Sequence, residues 1–113
     1  MKSVILVERN RYVREFISRE LVTMGYRVKP FRNGMELLEI LHTFGHRHPI
    51  VIERDLADLD IHTVIAAIRE HRPCQPIIVH TFDDESGFAA DSNLFFAKKQ
   101  SDLADLIRVL GRI

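Results

Sequence analysis

Four short apolar runs of this chain end on side chains that can do chemistry. Ser3 to Val7 runs into Glu8, Arg9 and Asn10, and Pro49 to Ile52 runs into Glu53 with Asp55 two residues on. Pro76 to Thr81 closes on Thr81 with Phe82 behind it, and Leu94 to Ala97 is followed by Lys98. A carboxylate can attack an electrophile or hold a hard cation, while a hydroxyl and an ammonium can grip the oxygens of an anion. None of this is possible unless the four ends are gathered at one place.

Other reactive residue types lead elsewhere. His46 and His48 make an H-x-H in the stretch GHRHP. No third ligand lies nearby, and the stretch reads as a loop, so a zinc site is not expected. His80 sits inside an apolar run and reads as a hydrogen-bonded core histidine. Arg11, Arg14 and Arg19 interleave with Glu15 and Glu20, the pattern of a solvated helix face with i to i+4 pairs. No nucleophile stands out with a base and an orienting partner, so a conventional enzyme is not expected.

The elements that must position the four ends follow from apolar periodicity. Short continuous runs alternate with helical spacing, as in βα units around a buried parallel sheet. Five strands are expected: Ser3 to Val7, Tyr26 to Pro30, Pro49 to Ile52, Pro76 to Thr81 and Leu94 to Ala97. Val13, Phe16, Ile17, Leu21 and Met24 share a helical stripe, with Asn10 as N-cap and Gly25 as stop. A second helix starts near Asn33, spaced from Glu36 like a capping box, and buries Leu37, Leu38, Leu41 and Phe44. A third follows Asp60 and ends before Pro73, and the last starts at Ser101 and carries Leu103, Leu106, Ile107 and Leu110. DDESGFAADSN, between the fourth and fifth strands, is polar and holds Gly87, so only a stunted helix is expected there. No linker or repeat interrupts the pattern, and a single domain over residues 1–113 is expected.

Composition agrees with such a domain. The chain has 113 residues, 46% of them hydrophobic and 28% charged, enough to bury one core and too apolar for disorder. Sixteen basic and sixteen acidic side chains cancel, which leaves no field to concentrate nucleic acid or an anionic membrane. The lone Cys74 cannot form an internal disulfide, and no signal segment or membrane span is visible, so a cytoplasmic location is expected. In an open parallel sheet, ligands gather at the carboxyl ends of the strands. That is where the four chemical ends would meet.

The whole chain resembles the receiver domain of two-component response regulators, a CheY-like member of the flavodoxin-like folds. VILVERN is similar to the family's first strand with its acidic pair, PIIVHTF to the fourth strand ending in Thr or Ser, and FFAKK to the fifth strand with its Lys. The resemblance implies the strand order 2-1-3-4-5, and assigns the phosphoacceptor, metal, hydroxyl and lysine places of the family to residues here. ERDLADLDI aligns with the family's D-x-x-M-P-x-M-D-G when Glu53 takes the phosphoacceptor place, with Asp60 the final Asp. The other register offers Asp55 and would bury Glu53 and Arg54 in the strand, which is costly.

Departures from the family pattern set the functional expectation. Arg9 replaces one of the two acids that hold Mg²⁺, and a fixed positive charge repels a hard cation, so Mg²⁺ binding is expected to be weak or absent and no cofactor is expected. Glu53 carries its carboxylate about 1.5 Å further out than Asp would. Phe82 stands where a small residue usually leaves a path for the phosphodonor. The degenerate site would comprise Glu53, Glu8, Arg9, Thr81 and Lys98, with Glu53 near the Lys98 ammonium or the Arg9 guanidinium. The resulting expectation is an atypical or pseudo-receiver in signalling, a non-catalytic module that binds another protein, with the last helix and fifth strand as the candidate face. The alternatives are an active phosphoacceptor receiver using Asp55 with Mg²⁺, and a flavodoxin-like cofactor binder, which lacks a phosphate loop in ERNRY.

Overall fold

In the computed structural model, which describes residues 2–113, five parallel strands form one sheet in the order β2-β1-β3-β4-β5. The strands are β1 (Ser3–Val7), β2 (Arg27–Phe31), β3 (Ile50–Glu53), β4 (Ile77–Thr81) and β5 (Leu94–Lys98). The three inner strands are buried on both faces, which is why they read as unbroken apolar runs. At one edge, β2 carries Lys29 and Pro30, a charge and a missing N–H that discourage pairing with another chain.

Alternate strand residues feed two separate cores. Ile5, Val7, Ile50, Ile52, Ile77 and Val79 pack under α2 (Gly34–Ile40) and α3 (Ile61–His71). Val4, Leu6, Val51, Ile78 and Ala97 pack under α1 (Arg11–Thr23) and α4 (Ala104–Leu110). Each fully buried Ile, Leu or Val contributes about 1.5 to 3 kcal/mol. The chain is thus two apolar layers divided by the sheet.

The helix ends are set by side-chain caps. Asn10 accepts from the N–H groups of Tyr12 and Val13 to open α1, and Gly25 with φ +94° turns the chain out of it. Asn33 accepts from Glu36 to open α2, while the Glu36 carboxylate takes the Arg32 N–H rather than the N-cap's own, a shifted form of the capping box. The α2 helix is shorter than its apolar spacing predicts, because a 3₁₀ turn at Leu41–Thr43 replaces its end. Asp60 caps α3 as expected. The last helix begins three residues later than Ser101, since Asp102 accepts from the Ala104 N–H.

The segment between β4 and β5 contains no helix, where a stunted one was expected. Asp84 and Asp91 turn their carboxylates onto the N–H groups of Ser86 and Asn93, so local side-chain bonds supplant the helical ladder. Phe88 anchors the segment on Phe96 and on the His62 ring. Among the described residues, no helix is long and apolar enough to cross a membrane.

Candidate functional site

The carboxyl edge of the sheet gathers two buried acids, one histidine and one lysine. Val7 pairs with Ile52, which sets Glu8 beside Glu53, and Glu53 pairs with His80 on β4. Glu8, Glu53 and His80 are each only 2 to 3% exposed. By strand alternation all three share the face of Leu6, Val51 and Ile78, the α1 and α4 side of the sheet.

The lysine that joins them is Lys99, and the expectation of Lys98 is corrected. Lys99 Nζ lies 2.9 Å from Glu8 Oε1 and 3.7 Å from Glu53 Oε1. Lys98 is the last residue of β5, has the opposite parity, and is exposed. It borders a different cavity, together with Thr81, Phe96 and Asp105. Thr81 is likewise outside the carboxylate pocket, its hydroxyl accepting the Asp83 N–H at 3.0 Å. Sequence reading missed this because the family pattern was matched to the first of two adjacent lysines, and neighbouring residues on a strand point to opposite faces. Strand alternation is the signal that could have separated the two lysines, since Lys99 and not Lys98 has the parity of Ala97 in the α1 and α4 core.

Arg9 also acts differently from expectation. The residue is exposed at the pocket and its guanidinium pairs with neither acid; its backbone N–H donates to Glu53 Oε2. The Asn10 N–H donates to Glu8 Oε2 at 3.0 Å, and Arg14 braces this turn by donating to the Glu8 carbonyl. Asp55 lies two residues past the end of β3, exposed at the rim of the pocket. Phe82, 77% exposed, stands over Lys99 with 5.6 Å between the ammonium and the ring centroid. It is a lid on the lysine, not a plug of the pocket.

Two acids and one ammonium leave one negative charge unmatched, and a proton supplies the difference. Burial raises the Glu53 carboxyl to about 7, against the pull of the Arg9 N–H, with neighbouring Glu8 adding to the rise. Burial also disfavours ionised Glu8, but hydrogen bonds from protonated Glu53, the Asn10 N–H and Lys99 outweigh it and hold Glu8 low. The two act as one unit sharing a proton. Burial first, and Lys99 next, push His80 down to about 4, so its ring is neutral at physiological pH. His80 was expected to be a hydrogen-bonded core histidine; it is buried and its ring bonds to the Lys98 backbone, while its Nε2 has no partner.

The pocket above these groups has a volume of about 450 Å³. Val13, Phe16 and Ile17 of α1 and Leu103 form its apolar walls. A Mg²⁺ ion of the kind receiver domains use does not fit these residues. Lys99 stands between the two carboxylates, and among the described residues no three acids, histidines or cysteines are grouped to hold a metal. His46 and His48 are no part of such a group.

Comparison with known proteins places the fold. No family model matches the chain, and no curated protein matches it in sequence. Among solved structures, the chain is similar to the chemotaxis protein CheY4 of Vibrio cholerae, with a TM-score of 0.87 at 20% identity over 100% of this chain and 98% of that one. It is similar to the response regulator TrrA of Thermotoga maritima in complex with Mg²⁺-BeF, with a TM-score of 0.84 at 22% identity over 99% and 98% of the chains. The receiver domain of the hybrid histidine kinase CckA gives 0.80 at 20% identity over 97% and 96%. The chain therefore has the CheY-like receiver fold.

Proposed function

We propose that this chain is an atypical receiver-type signalling module that does not take a phosphoryl group at the usual place and works by binding another protein. The observation that carries this reading is the state of Glu53. Its carboxylate ends β3, is buried, accepts the Arg9 N–H, and shares a proton and an ammonium with Glu8 and Lys99. A phosphoacceptor must instead present a free anionic oxygen to phosphorus beside a metal that neutralises the incoming oxygens. Here the neutralising charge is tethered within the chain.

The exposed flank of α4 and β5 is the candidate partner face. With no helix between β4 and β5, Phe95 and Phe96 are only half-covered, and the cleft beside them is bordered by Arg108 and Arg112 on one side and Glu85 and Asp91 on the other.

Incubation with acetyl phosphate and Mg²⁺, followed by intact-mass measurement, tests the reading. The expected result is no mass change. A gain of one phosphoryl group mapped to Glu53 would overturn the proposal, and one mapped to Asp55 would make the chain an ordinary switch using the exposed acid at the pocket rim.

A further inference from the structure

We infer that a second pocket, at the amino end of the sheet, binds a small organic oxyanion with an apolar body. It lies at the opposite end of the strands from the Glu8 and Glu53 carboxylates, so it stands or falls separately from the signalling function proposed above.

The strand order creates this pocket. β2, β1 and β3 are neighbours, and their starts bring Tyr26, Ser3 and Pro49 together. Leu110 and Ile113, at and beyond the end of α4, close one side and leave a cavity of about 250 Å³. That is below the roughly 300 to 1,000 Å³ of sites for drug-sized ligands, so a single ring or a short chain fits. Tyr26, Pro49, Leu110 and Ile113 give it apolar contact.

Charge selects the head group. Lys2, Arg47 and His48 complete the lining, which contains no Asp or Glu side chain. Lys2 and Arg47 are exposed, and among the described residues neither forms an ion pair. Even with a terminal carboxylate on Ile113 counted, the two side-chain cations leave a positive excess. An ammonium and a guanidinium grip a carboxylate or a phosphate by charge-assisted bonds, the guanidinium two oxygens at once. A concave site lined by one sign of charge concentrates the opposite ion, and a cation is repelled.

The loop that carries Arg47 is also fixed before any ligand arrives. Gln75, fully buried, donates from its side-chain amide to the carbonyls of Gly45 and His48, which flank Arg47. The buried Arg72 guanidinium in turn holds Gln75 Oε1 at 3.1 Å. A loop ordered in advance lowers the cost of binding, which is a reason for a site apart from charge.

Titration of the ¹⁵N-labelled chain with benzoate and with phenyl phosphate, followed by ¹⁵N–¹H spectra, tests this. Benzyl alcohol serves as the neutral control and benzylammonium as the control of opposite charge. Expected are saturable shifts in the millimolar range for at least one anion, centred on residues 2–3, 26–27, 45–49 and 110–113, while the Glu8, Glu53 and Lys99 amides hold still. The tighter of the two anions identifies the head group. Raising NaCl from about 0.05 to about 0.5 M should weaken binding several-fold, because the screening length falls below about 5 Å. Arg47→Ala should weaken it at least about tenfold and Lys2→Ala several-fold, and both change exposed side chains that folding does not need. No saturable shift with either anion, shifts centred elsewhere, equal binding of benzyl alcohol, or an affinity unchanged in Arg47→Ala would each overturn the inference, and the first three need no variant. Phosphoryl gain is read separately, by mass.

Discussion

Lys98 and Lys99 are adjacent and chemically identical, yet the structure gives them opposite faces of β5. Their substitutions should differ accordingly. Lys99→Ala leaves the Glu8 carboxylate buried without its cation and should cost about 3 to 5 kcal/mol, the usual penalty for breaking a buried pair. Lys98→Ala changes an exposed side chain and should stay within about 0.5 kcal/mol. Urea unfolding of the two variants measures the difference, and comparable losses would show that the site lysine is misassigned. Glu53 carries a second test, in which the sign follows from its raised pKa. Between about 4.5 and about 7 the folded chain binds more protons here than the unfolded chain, so this group's contribution to stability is full at low pH and is lost as pH rises through 7. Glu53→Gln, which mimics the protonated acid, should flatten that slope and be more stable than the unmodified chain above pH 7, by an amount on the order of 1 to 3 kcal/mol. Unfolding midpoints measured at pH 5.5 and 8 decide it; an unchanged slope would place the shared proton elsewhere. Glu8 and Glu53 were legible in the sequence because each ends an unbroken apolar run. The lysine and the role of His80 were not, since both depend on strand parity.

At the scale of elements, the β4–β5 connection shows what a sequence of turn-forming acids does when a helix is expected. The polar residues that made a full helix implausible form short turns instead, and besides Phe88 the segment is tied to the body by two arginines, Arg54 through Asp83 near its start and Arg69 through Asp91 near its end. Arg69 donates to both oxygens of Asp91 and to the carbonyls of Arg72, Gln75 and Asn93, and Arg69 in turn holds the Asp91 carboxyl below its ordinary range. Arg69→Ala should loosen the end of the segment around Asp91 and cost roughly 2 to 4 kcal/mol, because it removes the donor of the Asp91 carboxylate and of the Gln75 carbonyl together, while the Arg72 and Asn93 carbonyls keep only their backbone donors. Hydrogen exchange offers the readout. In the unmodified chain the Ile77 and Leu94 amides, which have backbone partners, should be protected while Glu85 and Gly87 to Ala90 exchange fast; in the variant the Leu94 protection should collapse. Retained protection of Leu94 would mean that Phe88 and Arg54 anchor the segment without Arg69. The caps at Asn10, Asn33 and Asp60 were readable from spacing, because a cap is a local signal. The absence of the helix was not, because Arg69 lies far away in sequence.

The sheet divides the whole molecule into two cores, and the site inherits that division. Glu8, Glu53, His80 and Lys99 face the α1 and α4 core, whereas Thr81 and Lys98 have the parity of Val79 and Phe96, which pack in the α2 and α3 core. Five strands follow from alternation, and their order, which right-handed crossovers allow, was selected by the resemblance to receiver domains, so the sheet was legible. The partition of the site across the sheet was not, since it turns on single-residue register. Coupling between distant parts travels through packed side chains and hydrogen bonds that have two arrangements. The carboxylate pair touches the β1–α1 turn through Arg9 and Asn10, and the loop before α4 through Lys99, whose backbone N–H donates to the Thr81 carbonyl at 2.8 Å, but among the described residues no hydrogen bond or ion pair leads from the pair's side chains to α2 and α3. A change in the charge of the pair should therefore stay on one side of the sheet. Comparing backbone ¹⁵N–¹H spectra at pH 6 and pH 8 for the unmodified chain and for Glu53→Gln checks this. Residues 8–17, 80–82 and 99–106 should shift in the unmodified chain and not in the variant, while Gly34–Ile40 and Ile61–His71 should hold still in both, apart from shifts at the exposed histidines that the two proteins share. Glu53-dependent shifts spread through α2 and α3 would show that the two cores move together, and that the pocket retains a molecule-wide switch despite its altered chemistry.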